Sequence, residues 1–556
     1  MDALTRGGRS LVPLAPAVLS ALLLTLAFAP LGWWWAAWVA LIPLYTSFAN
    51  AGAVPQTPKK ERDSRSGTRG FAFGTFLFLV GMFWMNEIGA VPWFVLACIQ
   101  AIPFAILGAL AAALLPRLPP WARPFAFAAL WTLLEFARSY GRYAFPWFLL
   151  STSQTNSPPI LQLVSVTGQW GLSFCVAAAN GFGGEAWLAW RRGSPSGLAV
   201  RLAAAGIGTP TALLLSGLSV IASVQKSENG LPTRVVGLAQ GSIKKEDYGD
   251  SENRQRVLTT YLNLTRDAVL QGQGDRLDRR GQPRGIAFVA WPETVVPGYI
   301  TQNPSLRGAL SETARALRTP LLVGAPEVDE DGNWRNTAFL FDRNGLEQAR
   351  YDKNQLVPIG EFFPLRGVLG PIYARYGVPD QDHASGNRLG IMDLGGISPE
   401  TKLRVGTIIC YESVFPNWAR DDVRGGAQVI VLLTSDQTFG TSAGPRQHAD
   451  IAAVRAVETR RWMVRAASTG VSEFLDPSGQ VRDALPLTKR GVLVHSVTLR
   501  DDRTLYVRWG DWALWVCAGI VAACVIAARR SVPSAPEFAS EAGSPPEQTS
   551  RRGKVP

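Results

Sequence analysis

The stretch that most constrains the fold is 403–412, which reads LRVGTIICYE. A β-branched, mostly apolar run leads straight into Cys410, and Tyr411 and Glu412 follow it. Such a run is typical of a buried strand, and α/β folds often carry their chemistry at strand ends. Cys410 is also the only cysteine outside the strongly apolar parts of the chain. The stretch therefore predicts a strand that ends at a candidate nucleophile.

Further apolar runs around this strand alternate with segments of helical periodicity. They predict strands at 235–239, 286–289, 321–323 and 429–433, and helices at 251–271 and 305–318. This alternation indicates an α/β domain. The segment 366–400 is less regular and contains glycine, proline and aspartate, so we expect it to form a mobile cover over a site.

Apolar residues are concentrated on both sides of this domain. Of the 556 residues, 47% are hydrophobic and only 18% are charged, which is apolar for a soluble protein of this length. A bilayer is crossed by about 20 apolar residues, and eight runs approach or exceed that length: 11–29, 33–49, 70–86, 91–116, 124–140, 161–190, 201–224 and 512–528. The first run resembles a secretory signal, but it exceeds the usual apolar core of roughly 7–15 residues, so we expect a retained span.

Basic residues fall in the loops on one side of these eight spans. Loops rich in arginine and lysine remain in the cytoplasm, which accounts for the net charge of +12 better than nucleic-acid binding does. The predicted organisation is a membrane bundle of about seven helices at 1–224, an extracytoplasmic α/β domain at 225–508, a C-terminal transmembrane helix at 509–530 and a disordered cytoplasmic tail at 531–556.

One carboxylate, Glu135, falls inside the fifth predicted span. An ionisable residue within a membrane is a candidate functional group. Arg138 follows three residues later, so a local ion pair that satisfies the charge is the alternative. The sequence leaves both interpretations open.

Three residues of the α/β domain have side chains that together suffice for acyl transfer. Glu293 follows a predicted strand, Lys353 follows a predicted hairpin, and Cys410 ends a strand. A nearby ammonium lowers the pKa of a thiol and stabilises an oxyanion, and a carboxylate can take and return the thiol proton. Each residue alone is more often a core or solvated side chain, so the interpretation depends on their joint context. No cysteine and histidine spacing indicates a metal site.

The sequence around these residues resembles the three catalytic blocks of the nitrilase (carbon–nitrogen hydrolase) superfamily. The blocks are 291–294 (WPET), 351–361 (YDKNQLVPIGE) and 410–412 (CYE). The second block, continued to Pro364, resembles the membrane branch of that superfamily, the apolipoprotein N-acyltransferases. The resemblance implies an α-β-β-α sandwich.

The same resemblance implies a role for each candidate residue. Glu293 is then the general base, Lys353 stabilises the tetrahedral intermediate, and Cys410 is the nucleophile that holds the acyl chain as a thioester. The supporting residues are Glu361, Tyr411 and Glu412. The implied reaction moves a fatty acyl chain from a phospholipid to the N-terminal α-amine of the diacylglyceryl-cysteine of lipoproteins at the bacterial inner membrane, without a cofactor.

The chain departs from the family pattern at three places. Ser242 and Ser468 stand where the family usually has asparagine, and the segment 435–439 (SDQTF) lacks the family's tryptophan. These departures concern substrate contacts and not the three catalytic candidates. The alternatives are a membrane-tethered amidase, which releases its product to water, and a non-catalytic lipid or lipoprotein binding protein, which tolerates loss of Cys410.

Overall fold

The computed structural model describes residues 14–50, 59–194, 196–244, 251–274, 285–375, 380–394 and 403–530. The predicted tail at 531–556 lies outside the described residues, as do the first three residues of the first predicted span.

Described residues before position 229 are mainly helical. The helices are α1 Ala15–Thr25, α2 Ala37–Ala40, α3 Ile42–Ala49, α4 Lys59–Gly81, α5 Ala90–Leu114, α6 Arg123–Arg138, α7 Pro158–Leu161, α8 Val164–Arg191 and α9 Ser196–Glu228. α8 is kinked at Gly168, whose φ of 65° and ψ of −178° are not helical. This kink divides the long apolar run predicted at 161–190.

Helices occupy most of each of the eight predicted spans. Three helical segments of the described chain are long and apolar enough to cross a membrane: Ala90–Arg117, Gly197–Glu228 and Trp512–Arg530. Two further apolar helical segments, Ala15–Thr25 and Trp34–Ala49, are shorter. Eight crossings therefore remain a prediction.

The following residues form an α/β domain and a last helix. The strands are β1 Thr233–Gln240, β2 Ile286–Ala290, β3 Leu321–Val328, β4 Trp334–Phe341, β5 Glu347–Asp352, β6 Ile391–Asp393, β7 Arg404–Ile409, β8 Val429–Thr434, β9 Met463–Ala467, β10 Ser472–Leu475, β11 Val481–Leu485 and β12 Gly491–Thr498. The helices are α10 Ser251–Gly274, α11 Pro304–Leu317, α12 Arg366–Arg375, α13 Pro416–Arg424, α14 Gly444–Thr459, α15 Leu505–Trp509 and α16 Trp512–Arg530.

The strands form two six-stranded sheets that pack face to face. The first has the order β12-β1-β2-β3-β4-β5, and the second has the order β11-β10-β9-β8-β7-β6. Apolar side chains of both sheets, among them Phe288 and Val431, share one buried core. α10 and α11 cover the other face of the first sheet. With α13 and α14 on the second sheet, the domain is the α-β-β-α sandwich that the resemblance implied.

The outer face of the second sheet shares its core with the helical part of the chain. Ile430 of β8 and Val454 of α14 belong to the same buried apolar cluster as Phe104 of α5 and Leu161 of α7. The two parts are therefore packed together without an intervening polar layer. The end of β7, where Cys410 lies, is next to this junction.

The segment 366–400, predicted to be irregular, contains two regular elements, and its role as a mobile cover stays a prediction. α12 and β6 lie inside that segment, while 376–379 and 395–400 are outside the described residues. β6 pairs antiparallel with β7, with Ile391 opposite Gly406. A strand of three residues, such as β6, is too short to show a periodic pattern in the sequence. β6 forms because β7 has an edge available for pairing.

Gly324 in β3 lies against the chain that carries Glu293. A Cβ atom at this position would be 2.3 Å from the carbonyl oxygen of Pro292 and 2.7 Å from the Cα atom of Glu293. The carbonyl of Gly324 also accepts hydrogen bonds from the backbone N–H groups of Val295 and Val296. Only glycine at this position lets β3 approach the turn after β2, which contains Glu293, this closely.

We predict that Gly324→Ala lowers stability by about 1–3 kcal/mol, because backbone atoms must move to admit the methyl group. Gly308→Ala is the matched control, since Gly308 lies in α11 with no atom within 4 Å of the added Cβ. The measurement is thermal unfolding of the purified protein, with a midpoint several degrees lower for Gly324→Ala alone. Equal midpoints for the two variants would contradict this account of the packing.

Candidate active site

The three candidate catalytic residues meet where strands of both sheets end. Glu293 follows β2 and Lys353 follows β5, so both come from the first sheet. Cys410 follows β7 of the second sheet. The sequence positions are far apart, and the facing sheets bring their ends together.

Lys353 is buried between two carboxylates. Its Nζ atom is 3.1 Å from Glu293 Oε1 and 2.8 Å from Glu361 Oε1, and only 1% of its side chain is exposed. Asn336 Nδ2 donates to the same two oxygens, at 2.7 Å and 3.1 Å. A buried ammonium is tolerated when it is paired and hydrogen-bonded, and the amide and ammonium groups here each contact both carboxylates.

The charges of this cluster hold Lys353 in its protonated form. Burial alone would lower the pKa of Lys353, but the negative charges of Glu293 and Glu361 outweigh it and raise that pKa well above its usual range. In turn, the ammonium outweighs the effect of burial on Glu361 and lowers the pKa of that carboxyl. An ammonium has three N–H donors. Two are used by the carboxylates, so one remains for a substrate oxygen.

The second oxygen of Glu293 is fixed by the backbone of the other sheet. The backbone N–H of Ser435, directly after β8, donates to Glu293 Oε2 at 2.7 Å. Ser435 Oγ is 3.1 Å from Ser468 Oγ. The carboxylate is therefore held at both oxygens, which fixes its orientation.

Cys410 lies in a strained backbone conformation at the start of a 3₁₀ turn. Its φ of 50° is in the left-handed region, which is unfavourable for a residue with a Cβ atom. Burial, and then the charge of Glu293, raise the pKa of its thiol above the usual range, while the charge of Lys353 opposes this. The resting side chain is therefore a thiol, and it needs a base to become a nucleophile.

Glu412 joins the Lys353 and Cys410 segments. Its Oε1 atom accepts hydrogen bonds from Tyr351 Oη at 2.8 Å and from the backbone N–H of Asn354 at 2.6 Å. Its Oε2 atom accepts from the backbone N–H of Ile409 at 2.7 Å. Burial raises the pKa of Glu412 to about 7, although these donors oppose the shift.

Tyr411 points to the helical part of the chain. Its hydroxyl donates to the carbonyl oxygen of Ala144 at 2.8 Å, in the segment that follows α6. Burial raises the pKa of this hydroxyl above its usual range, so it remains a donor. Tyr411 thus connects the turn that contains Cys410 to the helices.

Of the two interpretations of Glu135, a direct ion pair with Arg138 is not what the described residues show, because each side chain hydrogen-bonds other groups. Glu135 Oε1 accepts hydrogen bonds from Trp131 Nε1 and from the backbone N–H of Leu150, at 2.9 Å and 2.8 Å. The Arg138 guanidinium donates to two backbone carbonyl oxygens, those of Phe145 and Trp147. Both charges hold the segment 141–150, which includes the Ala144 carbonyl that Tyr411 contacts.

Several polar residues of the site were not among the candidates predicted from the sequence. Asn336 and Ser435 bind Glu293, and Asn354 binds Glu412 through its backbone. Asn336 lies within β4 and belongs to no local motif. A backbone N–H donor cannot be recognised from the residue type that carries it. Only their positions in the fold identify them.

The segment 435–439 that lacks a tryptophan is packed against the helical part. The ring of Phe439 meets that of Trp84 at 4.5 Å with an edge-to-face geometry. Gln437 Nε2 donates to the carbonyl oxygen of Ile243 at 2.9 Å. An aromatic contact across this junction therefore exists despite the departure from the family pattern.

Two protein families match the chain, one over each part. The apolipoprotein N-acyltransferase N-terminal domain matches residues 20–182, and the carbon-nitrogen hydrolase family matches residues 236–505. The apolipoprotein N-acyltransferase of Geobacter metallireducens is 30% identical over 537 residues, which are 92% of this chain and 95% of that protein. That of Methylococcus capsulatus is 31% identical over 538 residues, which are 93% and 97% of the two chains.

Among solved structures, an amidase from Nesterenkonia sp. AN1 is similar to part of the chain. It is 20% identical, with a TM-score of 0.36, and the match covers 51% of this chain and 98% of the amidase.

We predict opposite effects of two substitutions on the reactivity of the Cys410 thiol. Glu293→Gln removes a charge that raises the pKa of this thiol, and Lys353→Met removes one that lowers it. At a fixed alkaline pH, iodoacetamide should therefore alkylate Cys410 faster in Glu293→Gln and more slowly in Lys353→Met than in the unmodified protein. Peptide mass spectrometry measures the rate at Cys410 separately from the other cysteines.

The control is Glu327→Gln, which removes another buried carboxylate, one that is hydrogen-bonded to Thr301. This variant should react at the unmodified rate. Rates that move in the same direction in Glu293→Gln and Lys353→Met would show that the thiol does not respond to these two charges.

Proposed function

The chain belongs to the apolipoprotein N-acyltransferase family and is an acyltransferase, and we propose that it transfers a fatty acyl chain from a phospholipid to a lipoprotein through a thioester on Cys410. The acceptor is the N-terminal α-amine of the lipoprotein's diacylglyceryl-cysteine. The observation that carries this proposal is the ammonium of Lys353, held between Glu293 and Glu361 beside the Cys410 thiol.

The first half of the reaction forms the thioester. Glu293 takes the thiol proton, and the Cys410 sulfur attacks the carbonyl carbon of a phospholipid ester. The free N–H of Lys353 donates to the oxyanion that develops. As the ester C–O bond breaks, the departing alkoxide takes the proton from Glu293, which releases a lysophospholipid.

The second half regenerates the enzyme. The lipoprotein amine attacks the thioester carbonyl, and Lys353 again donates to the oxyanion. Glu293 takes a proton from the attacking nitrogen, and the C–S bond breaks to give the amide. The Cys410 sulfur then recovers that proton from Glu293, so no cofactor or metal is needed to balance the steps.

The supporting residues hold the catalytic groups at fixed positions relative to one another. Glu361 shares the charge of Lys353, so that Glu293 does not bear the whole ion pair. Glu412 fixes the distance between the segments of Lys353 and Cys410, and Tyr411 fixes their position on the helices. Preorganised groups of this kind can lower a barrier because they need not reorient during the reaction.

A lipid substrate requires a site at the bilayer surface. We place the chain in the bacterial inner membrane, with 1–224 and 509–530 as the membrane part and 225–508 as the extracytoplasmic catalytic domain. Ile359, Leu365 and Val368 support this arrangement, because their apolar side chains are exposed close to Glu361 in the chain. Apolar side chains exposed beside an active site suit contact with lipid.

We predict that purified protein incubated with phospholipid gains the mass of one fatty acyl group, and that hydroxylamine removes it because thioesters react with this amine. Intact-protein mass spectrometry measures the adduct. Cys410→Ala should form none, whereas the control Cys98→Ala, a change in α5, should form it at the unmodified level. Release of free fatty acid without an amide product when lipopeptide is supplied would support the amidase alternative instead.

The proposed orientation predicts which exposed positions a membrane-impermeant maleimide reaches. In cells with a permeable outer membrane, Asp331→Cys should be labelled at once, because residue 331 belongs to the catalytic domain. Arg191→Cys, at the end of α8, should be labelled only after the inner membrane is opened. The reverse pattern would place the catalytic domain in the cytoplasm, and the unmodified chain gives the background from native cysteines.

A further inference from the structure

Gln447 of α14 makes four hydrogen bonds to the helical part. Its side-chain oxygen accepts hydrogen bonds from Trp84 Nε1 at 3.0 Å and Trp147 Nε1 at 2.9 Å. Its side-chain nitrogen donates to the carbonyl oxygens of Ala29 at 2.9 Å and Gly81 at 3.1 Å. A primary amide has two donors and two acceptor positions. All four are used, each by a different residue of the helical part.

The next residue, His448, faces a buried carboxylate. His448 Nδ1 is 3.0 Å from Asp436 Oδ1, and Arg465 Nη2 donates to Asp436 Oδ2 at 2.8 Å. Burial would raise the pKa of Asp436, but the charge of Arg465 outweighs it, and with His448 lowers that pKa to about 2. An ionised carboxylate only accepts hydrogen bonds. The Nδ1 atom of His448 therefore carries a proton.

The other ring nitrogen of His448 faces the nucleophile's backbone. His448 Nε2 is 2.9 Å from Ser413 Oγ and 3.3 Å from the carbonyl oxygen of Cys410. Ser413 Oγ donates to the same carbonyl at 2.8 Å. The Cys410 carbonyl, in a residue with a strained left-handed conformation, thus accepts from the Ser413 hydroxyl, which is itself in contact with His448 Nε2.

The segment that binds His448 also binds the general base. Asp436 directly follows Ser435, whose backbone N–H donates to Glu293 Oε2. A shift of this segment would therefore move Glu293 and, through His448, Cys410 as well. The relative position of base and nucleophile depends on it.

Ser413, His448 and Asp436 have the hydrogen-bond order of a serine hydrolase triad, but they are not a second catalytic centre. The side chains of all three are buried, Ser413 completely. The Ser413 hydroxyl also donates to the Cys410 carbonyl oxygen. The arrangement fits a structural task directed at Cys410.

We propose that His448 is a positioning residue that holds the backbone of Cys410 through Ser413, and that Gln447 fixes this assembly to the helical part. The proposal rests on Cys410 being the nucleophile. It adds a residue to the reaction that touches neither lipid nor lipoprotein. It also gives separate roles to two consecutive polar residues of α14.

The test is the single-turnover rate of thioester formation in His448→Asn. The asparagine amide is short enough to keep a hydrogen bond to Asp436 but does not reach Ser413. We expect the maximal acylation rate to fall about 10- to 100-fold, as for a misplaced reacting group, with an unchanged half-saturating phospholipid concentration. His448→Gln, whose longer amide reaches the position of Nε2, should recover part of the rate.

A double substitution tests the path through Ser413. If His448 acts through this hydroxyl, Ser413→Ala added to His448→Asn should lower the rate little further, because neighbouring residues of one network are not additive. Independent, multiplicative losses would overturn the path. An unchanged maximal rate in His448→Asn would overturn the proposal.

Thiol alkylation separates this proposal from the proposed function. The pH dependence of Cys410 alkylation requires no lipid, and it should differ from that of the unmodified protein in His448→Asn because the thiol no longer keeps its distances to Glu293 and Lys353. The control His495→Asn removes an imidazole that packs on Trp462 and Phe474, and it should change neither readout. An unchanged alkylation profile in His448→Asn would contradict the positioning role of His448, even if no lipid is transferred. If His448→Asn does not fold, the same comparison is made with His448→Gln.

Discussion

The ion pair network of Lys353 is the interaction on which the rest of the site depends. An ammonium buried to this extent is stable only with close negative partners, and removing one partner of a buried pair typically costs about 3–5 kcal/mol. Glu293 and Glu361 supply these partners, and Asn336 donates to the same two oxygens. The charge proposed to stabilise an oxyanion is thus also the charge that holds these side chains together.

The reactivity of Cys410 depends more on the positions of its neighbours than on ionisation of the resting thiol. Burial keeps the sulfur protonated, so its reactivity depends on how closely Glu293 and Lys353 approach it. Hydrogen bonds to Glu412, from residues beside Lys353 and before Cys410, set that approach from one side. Ser413, in contact with His448, donates a hydrogen bond to the carbonyl oxygen of Cys410. Cys410 keeps its left-handed backbone conformation because the contacts around it hold it there.

The apolar runs of the sequence predicted the α/β alternation, and the resemblance to the nitrilase superfamily implied the sandwich and the roles of the candidate residues. Cys410 directly follows its strand, as at 403–412, whereas Lys353 follows β5, whose sequence EQARYD is not apolar, so its role rests on the resemblance. Asn336 and Ser435 follow no such pattern, since their part in the site depends on which strands become neighbours in space. Sequence spacing left an ion pair of Glu135 with Arg138 as one alternative, whereas in the fold both side chains bind backbone groups of the segment after α6.

A continuous buried core joins α14 and the second sheet to the helices. The α/β domain therefore cannot be separated from the helices without exposing apolar surface. In a soluble relative of this fold, the faces of α13 and α14 need a polar surface, whereas here residues such as Val454 and Ile451 are covered by helices of the other part. Freed from those helices, the domain would expose an apolar face and associate with itself. Engineering a water-soluble form therefore requires a new surface on these two helices, and shortening the chain alone does not provide one.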